Sequence, residues 1–178
     1  MKILGQYFPS FKTKQNEKIY FRKLTEADII PLVEFYYHLS QETRYLRFQM
    51  ITDGIPENKV YEYAEKLCKL ENKGLAIVAY THEDGIESFA GIARYMQDDE
   101  ADSQAEFAIV LQDSFQGKGI GRYLLQLLFE EAKRYGLFKL YGTMLYSNTG
   151  IIELIKKVAP DKHHFTHSEG QMEVEIIL

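Results

Sequence analysis

A single cysteine, Cys68, stands in the 178-residue chain, so no internal disulfide framework can form, and the composition fits a reducing compartment. Basic excess is lacking as well. The formal net charge is −5, which argues against a nucleic-acid binder, since such a protein normally presents a basic face; the acidity is compatible with cationic substrates. The opening Met1-Lys-Ile-Leu-Gly-Gln-Tyr-Phe8 has too short an apolar run and no small-residue cleavage site, so it reads as neither signal peptide nor membrane span. A cytoplasmic protein with no membrane and no nucleic-acid partner is expected. Repeats, linkers and low-complexity tracts are also missing. With 46% hydrophobic and 26% charged residues, residues 1–178 read as one globular domain, with 1–18 an extension or short strand.

What is present is glycine in one place. Leu111-Gln-Asp-Ser-Phe-Gln-Gly-Lys-Gly-Ile-Gly-Arg122 sets three alternate glycines between an apolar strand-like run and an amphipathic helical one. Glycines let successive backbone N–H groups turn into one concavity, and the following helix adds its unpaired N–H groups and positive dipole end. That is an anion cradle. It is not a Walker loop, because Lys118 is followed by Gly119 rather than by a hydroxyl, and its Gly-x-Gly-x-Gly spacing is not the dinucleotide fingerprint. A plain flexible turn ahead of a helix is the competing reading.

Periodicity places the elements around it. Strands are expected at Ile19–Leu24, Leu75–Thr81, Ser88–Met96, Ala105–Leu111, Phe138–Leu145, His163–His167 and Gln171–Leu178. Helices are expected after the Thr25 cap through Leu39, over Glu57–Glu71 with Cys68 on the apolar stripe, over Ile120–Tyr135 ending at Gly136, and from the Asn148 cap to Val158 before Pro160. Turn signals at Glu83-Asp-Gly85 and Ser168-Glu-Gly170, and a polar break over Gln97–Ser103, separate antiparallel strands. The helix after Gly121 forces a crossover, so the strand at 138–145 should run parallel to that at 105–111. The fold class is mixed α/β, with about seven strands and about four helices.

The order strand, Gln116-Gly-Lys-Gly-Ile-Gly121, helix, strand, Asn148, helix, hairpin resembles the GCN5-related N-acetyltransferases, whose pyrophosphate loop is Gln/Arg-x-x-Gly-x-Gly/Ala. Ile19-Tyr-Phe-Arg-Lys-Leu-Thr-Glu-Ala-Asp28 resembles that family's opening strand and helix cap. Leu39-Ser-Gln-Glu-Thr-Arg-Tyr-Leu-Arg-Phe48 with Ala105-Glu-Phe-Ala-Ile-Val-Leu111 looks like the acetyltransferase domain of bacterial protein-lysine acetyltransferases of the Pat type. The likeness implies a twisted, mostly antiparallel sheet with one parallel pair, and acetyl-CoA as cofactor. By the same likeness, coenzyme A would lie along Ile109, Val110 and Leu111, its pyrophosphate on Gln116, Gly117, Lys118, Gly119, Ile120, Gly121 and Arg122, and its pantetheine arm on Asn148. Val110 or Leu111 would offer the backbone N–H for the acyl oxygen.

An amine acceptor, small molecule or protein lysine, has a pKa near 10.4 and needs a base at neutral pH. Glu106 is the candidate. It shares a strand face with Ala108 and Val110, an unusual place for a carboxylate if that face is covered; an exposed strand residue, or a partner of Arg94, is the alternative. The Pat-type likeness implies the catalytic role. Where the family carries a tyrosine that protonates the departing thiolate, this chain has Ile155, so the thiolate leaves unassisted or takes a proton from Tyr146 or Tyr141. Ile155 also favours a competing function, a non-catalytic acyl-CoA sensor or interaction module. Arg44, Arg47, Tyr45 and Phe48 either line the acceptor mouth or anchor a loop. His163, His164 and His167 are split by strand alternation, so no metal site is expected. A homodimer is allowed.

Overall fold

In the computed structural model, residues 7–99 and 103–178 are described; residues 1–6 and the middle of the polar break, 100–102, lie outside them. Eight strands form one sheet: β1 (Tyr7–Lys12), β2 (Lys18–Lys23), β3 (Gly74–Glu83), β4 (Ile86–Met96), β5 (Gln104–Leu111), β6 (Lys139–Leu145), β7 (His163–Ser168) and β8 (Gln171–Ile177). Their order is β1-β2-β3-β4-β5-β6-β8-β7. Every pairing is antiparallel except β5 with β6, because the long helix α4 (Ile120–Tyr135) carries the chain back between those two strands.

Both faces are covered, so the middle strands do not alternate cleanly. Ala76, Ile77, Val78, Ala79 and Tyr80 of β3 are all buried, as are Phe89, Ala90, Ile92 and Ala93 of β4. On one face α4 lays Leu124, Leu125, Leu128 and Ala132 against the sheet, joined by Ile152 and Ile155 of α5 (Thr149–Val158). On the other, α1 (Ile29–His38) and α3 (Glu57–Cys68) bring Leu32, Val33, Phe35, Val60, Ala64 and Leu67 onto Ala76, Val78 and Ile92. Gly136 ends α4 at φ +102, a backbone that other residues rarely take.

Of the two readings of residues 1–18, extension or short strand, the structure has the strand, as β1. Its Phe8 and Phe11 both pack toward the main core, although three residues apart in a regular strand they would face opposite ways. A register shift between them, where β1 pairs with β2, restores a common face. The helix α2 (Gln41–Phe48) is additional to the elements expected, a two-turn helix in which only Thr43 is buried. Its N-cap Ser40 accepts from the Thr43 N–H at 3.1 Å, and Gln49 closes it in the left-handed region at φ +55. Its stability comes from tying to neighbours rather than from an apolar stripe. No helix among the described residues is long and apolar enough to cross a membrane.

Candidate active site

The site begins where the sheet parts. β5 and β6 are in register from Gln104↔Lys139 to Glu106↔Tyr141 and no further. Beyond that, β5 continues with β4 as far as Gly91↔Leu111, while β6 continues with β8. A gap therefore opens between β5 and β6 toward their C-terminal ends. The Gln112 N–H donates to the Ala90 carbonyl at 2.9 Å, which fixes the alternation of the ladder: the Val110 N–H turns toward Ile92 of β4, and the N–H groups of Ile109 and Leu111 turn toward the gap. Of the two residues the family likeness offered for the acyl oxygen, the ladder leaves Leu111 facing the gap and commits Val110 elsewhere. The Ile109 N–H, a second donor facing the gap, leaves no mark in the sequence, because ladder parity depends on which strand lies on each side.

The glycine loop closes the end of this gap. Gly117 and Gly119 stand at φ +72 and +87, and Gly119 is the N-cap of α4. A Cβ on Gly121 would lie 3.1 Å from Leu111 Cδ1 and 3.2 Å from Leu154 Cδ2, so the small residue lets α4, α5 and the tip of β5 meet. Ile120 is fully buried and anchors the first turn. Gln116 points back, its amide donating to the Leu111 carbonyl and to Thr43 Oγ1, both at 3.2 Å. Thr43 in turn donates to Asp113 at 2.8 Å, and Asp113 accepts from the Ser40 N–H and hydroxyl. Burial pushes the Asp113 carboxyl upward, but these hydrogen bonds outweigh it and hold it below the usual range.

Positive charge near the loop is unevenly placed. Lys118 Nζ lies 2.7 Å from Glu17 in the β1–β2 turn, so its charge is already answered. Arg122 is exposed in the first turn of α4, and none of the described residues pairs with it. Asn148 caps α5 by accepting from the Ile151 N–H at 3.3 Å. Two positive-φ glycines, a helix N-terminus and an open cation at the mouth of a gap form a cradle that fits the pyrophosphate of coenzyme A. A Gly119→Ala variant would hold a side chain at φ +87, with its Cβ 3.3 Å from the Phe11 ring. The expected cost is about 1–2 kcal/mol, read as a lower melting temperature together with weaker acetyl-CoA binding by calorimetry.

Glu106 stands at the last bridge before the gap. Its carboxylate lies 2.8 Å from Arg94 of β4, and its side chain is 37% exposed, so the face shared with Ala108 and Val110 is only partly covered at this point. The pairing with Arg94 noted from the sequence is present. Tyr146 does not join the group: its hydroxyl is 2.6 Å from His167 Nδ1 on β7, the edge strand on the far side of β6 from β5, so its side chain turns away from the gap. Nor is Tyr146 a core residue, being 40% exposed. Tyr141 donates to Asp98 at 3.0 Å. Ile155 is fully buried in the main core. Burial pushes the Cys68 thiol up to about 12, which keeps it protonated and unreactive. Among the described residues no His, Cys, Asp and Glu side chains cluster as metal ligands.

On the other side of the sheet, α2 spans the gap. Its start is tied to the β5 end through Ser40, Thr43, Asp113 and Gln116. Its finish is tied to β6 and β8: Gln49 donates to the Thr143 carbonyl at 3.0 Å and accepts from Gln171 at 2.7 Å. Thr43 and Asp113 escaped sequence reading, because their roles come from contacts 70 residues apart. A Ser cap followed by Glu42 in the first turn was the available signal for α2. Between α1, α2, α3 and the floor of β4 and β5 lies a cavity of about 30 Å3, with Tyr36, Arg47, Phe48, Tyr63, Arg94 and Val110 in its lining. Of the four residues weighed for the acceptor mouth, Arg47 and Phe48 line it, Arg44 stacks over the Tyr36 ring at 5.3 Å, and Tyr45 faces solvent.

Comparison with known proteins gives the family and supports the fold. The family model for the acetyltransferase (GNAT) domain matches residues 18–159. The acetyltransferase PA5475 of Pseudomonas aeruginosa is 30% identical over 135 residues, which is 75% of this chain and 69% of that protein. Among solved structures, the GNAT domain of S. lividans PAT superposes with a TM-score of 0.78 at 21% identity, over 96% of each chain. Spermidine N-acetyltransferase from Vibrio cholerae, solved with CoA and spermine, superposes with a TM-score of 0.68 at 15% identity, over 89% of this chain and 95% of that one. At these identities the structural likenesses speak for the fold, while the family match covers most of the sequence: the chain belongs to the GNAT acetyltransferase family.

Proposed function

We propose that this protein moves the acetyl group of acetyl-CoA to a primary amine, on a small molecule or a protein lysine, by direct attack with Glu106 as general base, the described chain working as one catalytic domain. The observation that carries the reading is the gap beyond Glu106↔Tyr141, with the glycine cradle at its end. When bound, acetyl-CoA supplies the activated acyl carbon. The N–H groups near Gly117 to Gly121, with Arg122, would hold its pyrophosphate, and Asn148 would bind its pantetheine arm.

The acceptor arrives as an ammonium and must lose a proton before its nitrogen can attack. Glu106 takes that proton directly or through water, standing three residues of strand, about 10 Å, before Ile109. As the C–N bond forms, negative charge builds on the acyl oxygen. The Ile109 or Leu111 N–H donates to it, an interaction worth a few kcal/mol of barrier in acyl transfer. The C–S bond then breaks, the nitrogen gives its second proton to solvent, and the sulfur takes one from solvent. No tyrosine is assigned to that last step. A thiol pKa of about 8.5 makes thiolate a tolerable leaving group.

The test is acetyl-CoA turnover across a panel of small amines and lysine peptides, with acetyl-CoA affinity measured beside it. Acetylated amine and free thiol in equal amounts are expected. Binding of acetyl-CoA with no product on any acceptor would replace this reading by the sensor one.

A further inference from the structure

The cavity between α1, α2, α3 and the β4–β5 floor is lined mostly by carbon, yet among the described residues it carries one buried hydroxyl without a partner and one half-exposed cation without an anion. Tyr36 is 8% exposed, and its buried hydroxyl has no hydrogen-bond partner among the described residues. A buried hydroxyl left unpaired costs about 1–3 kcal/mol, so such a group in a cavity wall marks a place where another molecule completes the bond. Arg47 is the second. Its guanidinium lies over the Phe48 ring at 5.2 Å and donates to the Tyr63 hydroxyl at 3.1 Å, and none of the described carboxylates pairs with it.

The surrounding charges sharpen the point. Arg94 is answered by Glu106 at 2.8 Å, and Arg44 has Asp53 at 4.0 Å. Arg47 is therefore the cation of this wall without an anion. Both residues carry hydrogen-bond donors, and they line one space. That space, about 30 Å3, has room for roughly two waters, close to the size of one carboxylate.

Resting on the acetyl-transfer reading, we propose that the acceptor is an amine that also carries a carboxylate, the anion being held by Arg47 and the Tyr36 hydroxyl while the amine lies toward Glu106. An amino acid, or a peptide whose amine stands near an acidic group, has this chemistry. A polyamine has the opposite charge and meets Arg47 with repulsion. A planar carboxylate also suits the forked guanidinium, which can donate two parallel N–H bonds to it. Tyr63 keeps the fork in place, and Phe48 supports its face.

Matched acceptors test this directly: an amino-acid amine with a free carboxylate, its carboxamide, and spermidine, each at saturating acetyl-CoA. The free acid is expected to be preferred over its amide by about ten- to a hundredfold in kcat/KM, the span of one charge-assisted hydrogen bond. Arg47→Met should bring the acid-to-amide ratio to about one, chiefly through KM of the acid, with acetyl-CoA affinity retained. Tyr36→Phe removes a single oxygen and leaves the ring packing in place, so it repeats the test without threatening the fold; a smaller fall in the same ratio is expected. Preference for the amide or for spermidine overturns the proposal. So does an Arg47→Met variant that keeps the ratio, or one that mainly weakens acetyl-CoA, which would assign Arg47 to the cofactor's phosphates. Should the wild type turn over no acceptor, calorimetry of the acid and the amide on the CoA-loaded protein still decides between them, so failure of the transfer reading and failure of the carboxylate site are separately visible.

Discussion

Glu106→Gln is expected to lower kcat by about a hundredfold to ten-thousandfold, the contribution typical of a positioned general base, while acetyl-CoA affinity stays nearly constant. The separation follows from position. Glu106 lies at the closed end of the β5–β6 gap, ten residues before Gln116 and on the strand face that looks toward α1 and α3 rather than into the glycine cradle. Glutamine has the same shape and can still accept from Arg94, so the variant removes proton affinity without leaving that guanidinium bare. Single-turnover mixing of pre-bound acetyl-CoA with an acceptor measures the chemical step, and titration calorimetry measures the cofactor. An unchanged rate at saturating cofactor would remove Glu106 from the reaction. A matching loss of acetyl-CoA affinity would mean that the residue supports the fold of the site rather than proton transfer.

The largest expected loss of stability lies elsewhere. Asp28→Ala should lower the unfolding free energy by about 3–5 kcal/mol, the range for breaking one side of a buried ion pair. Asp28 is 4% exposed. It accepts from both terminal nitrogens of Arg22, at 2.7 and 2.8 Å, and from the Thr25 N–H and hydroxyl at 2.8 and 3.0 Å. Arg22 is itself buried and shared with Glu87 at 3.1 Å. Removing Asp28 thus leaves a buried guanidinium with a partly exposed partner and an uncapped turn before α1. The double variant Arg22→Met/Asp28→Leu should lose less than Asp28→Ala alone, since it deletes both charges together; urea unfolding of the two reads this.

The same pair sets a pH dependence. Burial pushes the Asp28 carboxyl upward, but the hydrogen bonds from Arg22 and Thr25 outweigh it, so its folded value lies below the ordinary one. Its contribution is therefore complete above an unfolded pKa of about 3.9 and is lost as pH falls through the lower folded value. Asp28→Asn should flatten the stability curve of the protein below about pH 4, where the wild type weakens. An unaltered acid limb in that variant would place the responsible carboxylates elsewhere.

Local chemistry was legible in the chain itself. Alternate glycines before an amphipathic run required a positive-φ turn and a helix start, and both stand at Gly117 to Ile120. Asn148 and Gly136 read as caps because their side chain and backbone act within a few residues. The parallel pairing of β5 with β6 followed from chain length alone, since a 16-residue helix between two strands returns the second one parallel. Seven of the eight strands announced themselves by pattern. β1 was legible only as an extension or short strand within residues 1–18, because a bulge sets Phe8 and Phe11 on one face at a spacing no regular strand would use.

What the tertiary structure alone decided is everything that depends on approach between distant segments. The parity of the β5 ladder, and with it the N–H groups of Ile109 and Leu111 that face the gap, depends on β4 holding the other edge. The Tyr146 hydroxyl turns from the gap because it lies against His167, 21 residues on. The helix α2 is polar along most of its length and exists through Asp113, Thr143 and Gln171, which lie far from it in sequence. Hydrogen-bond partners at such separations leave no period in a sequence, because their spacing is set by the fold and not by the turn of a helix or the pleat of a strand.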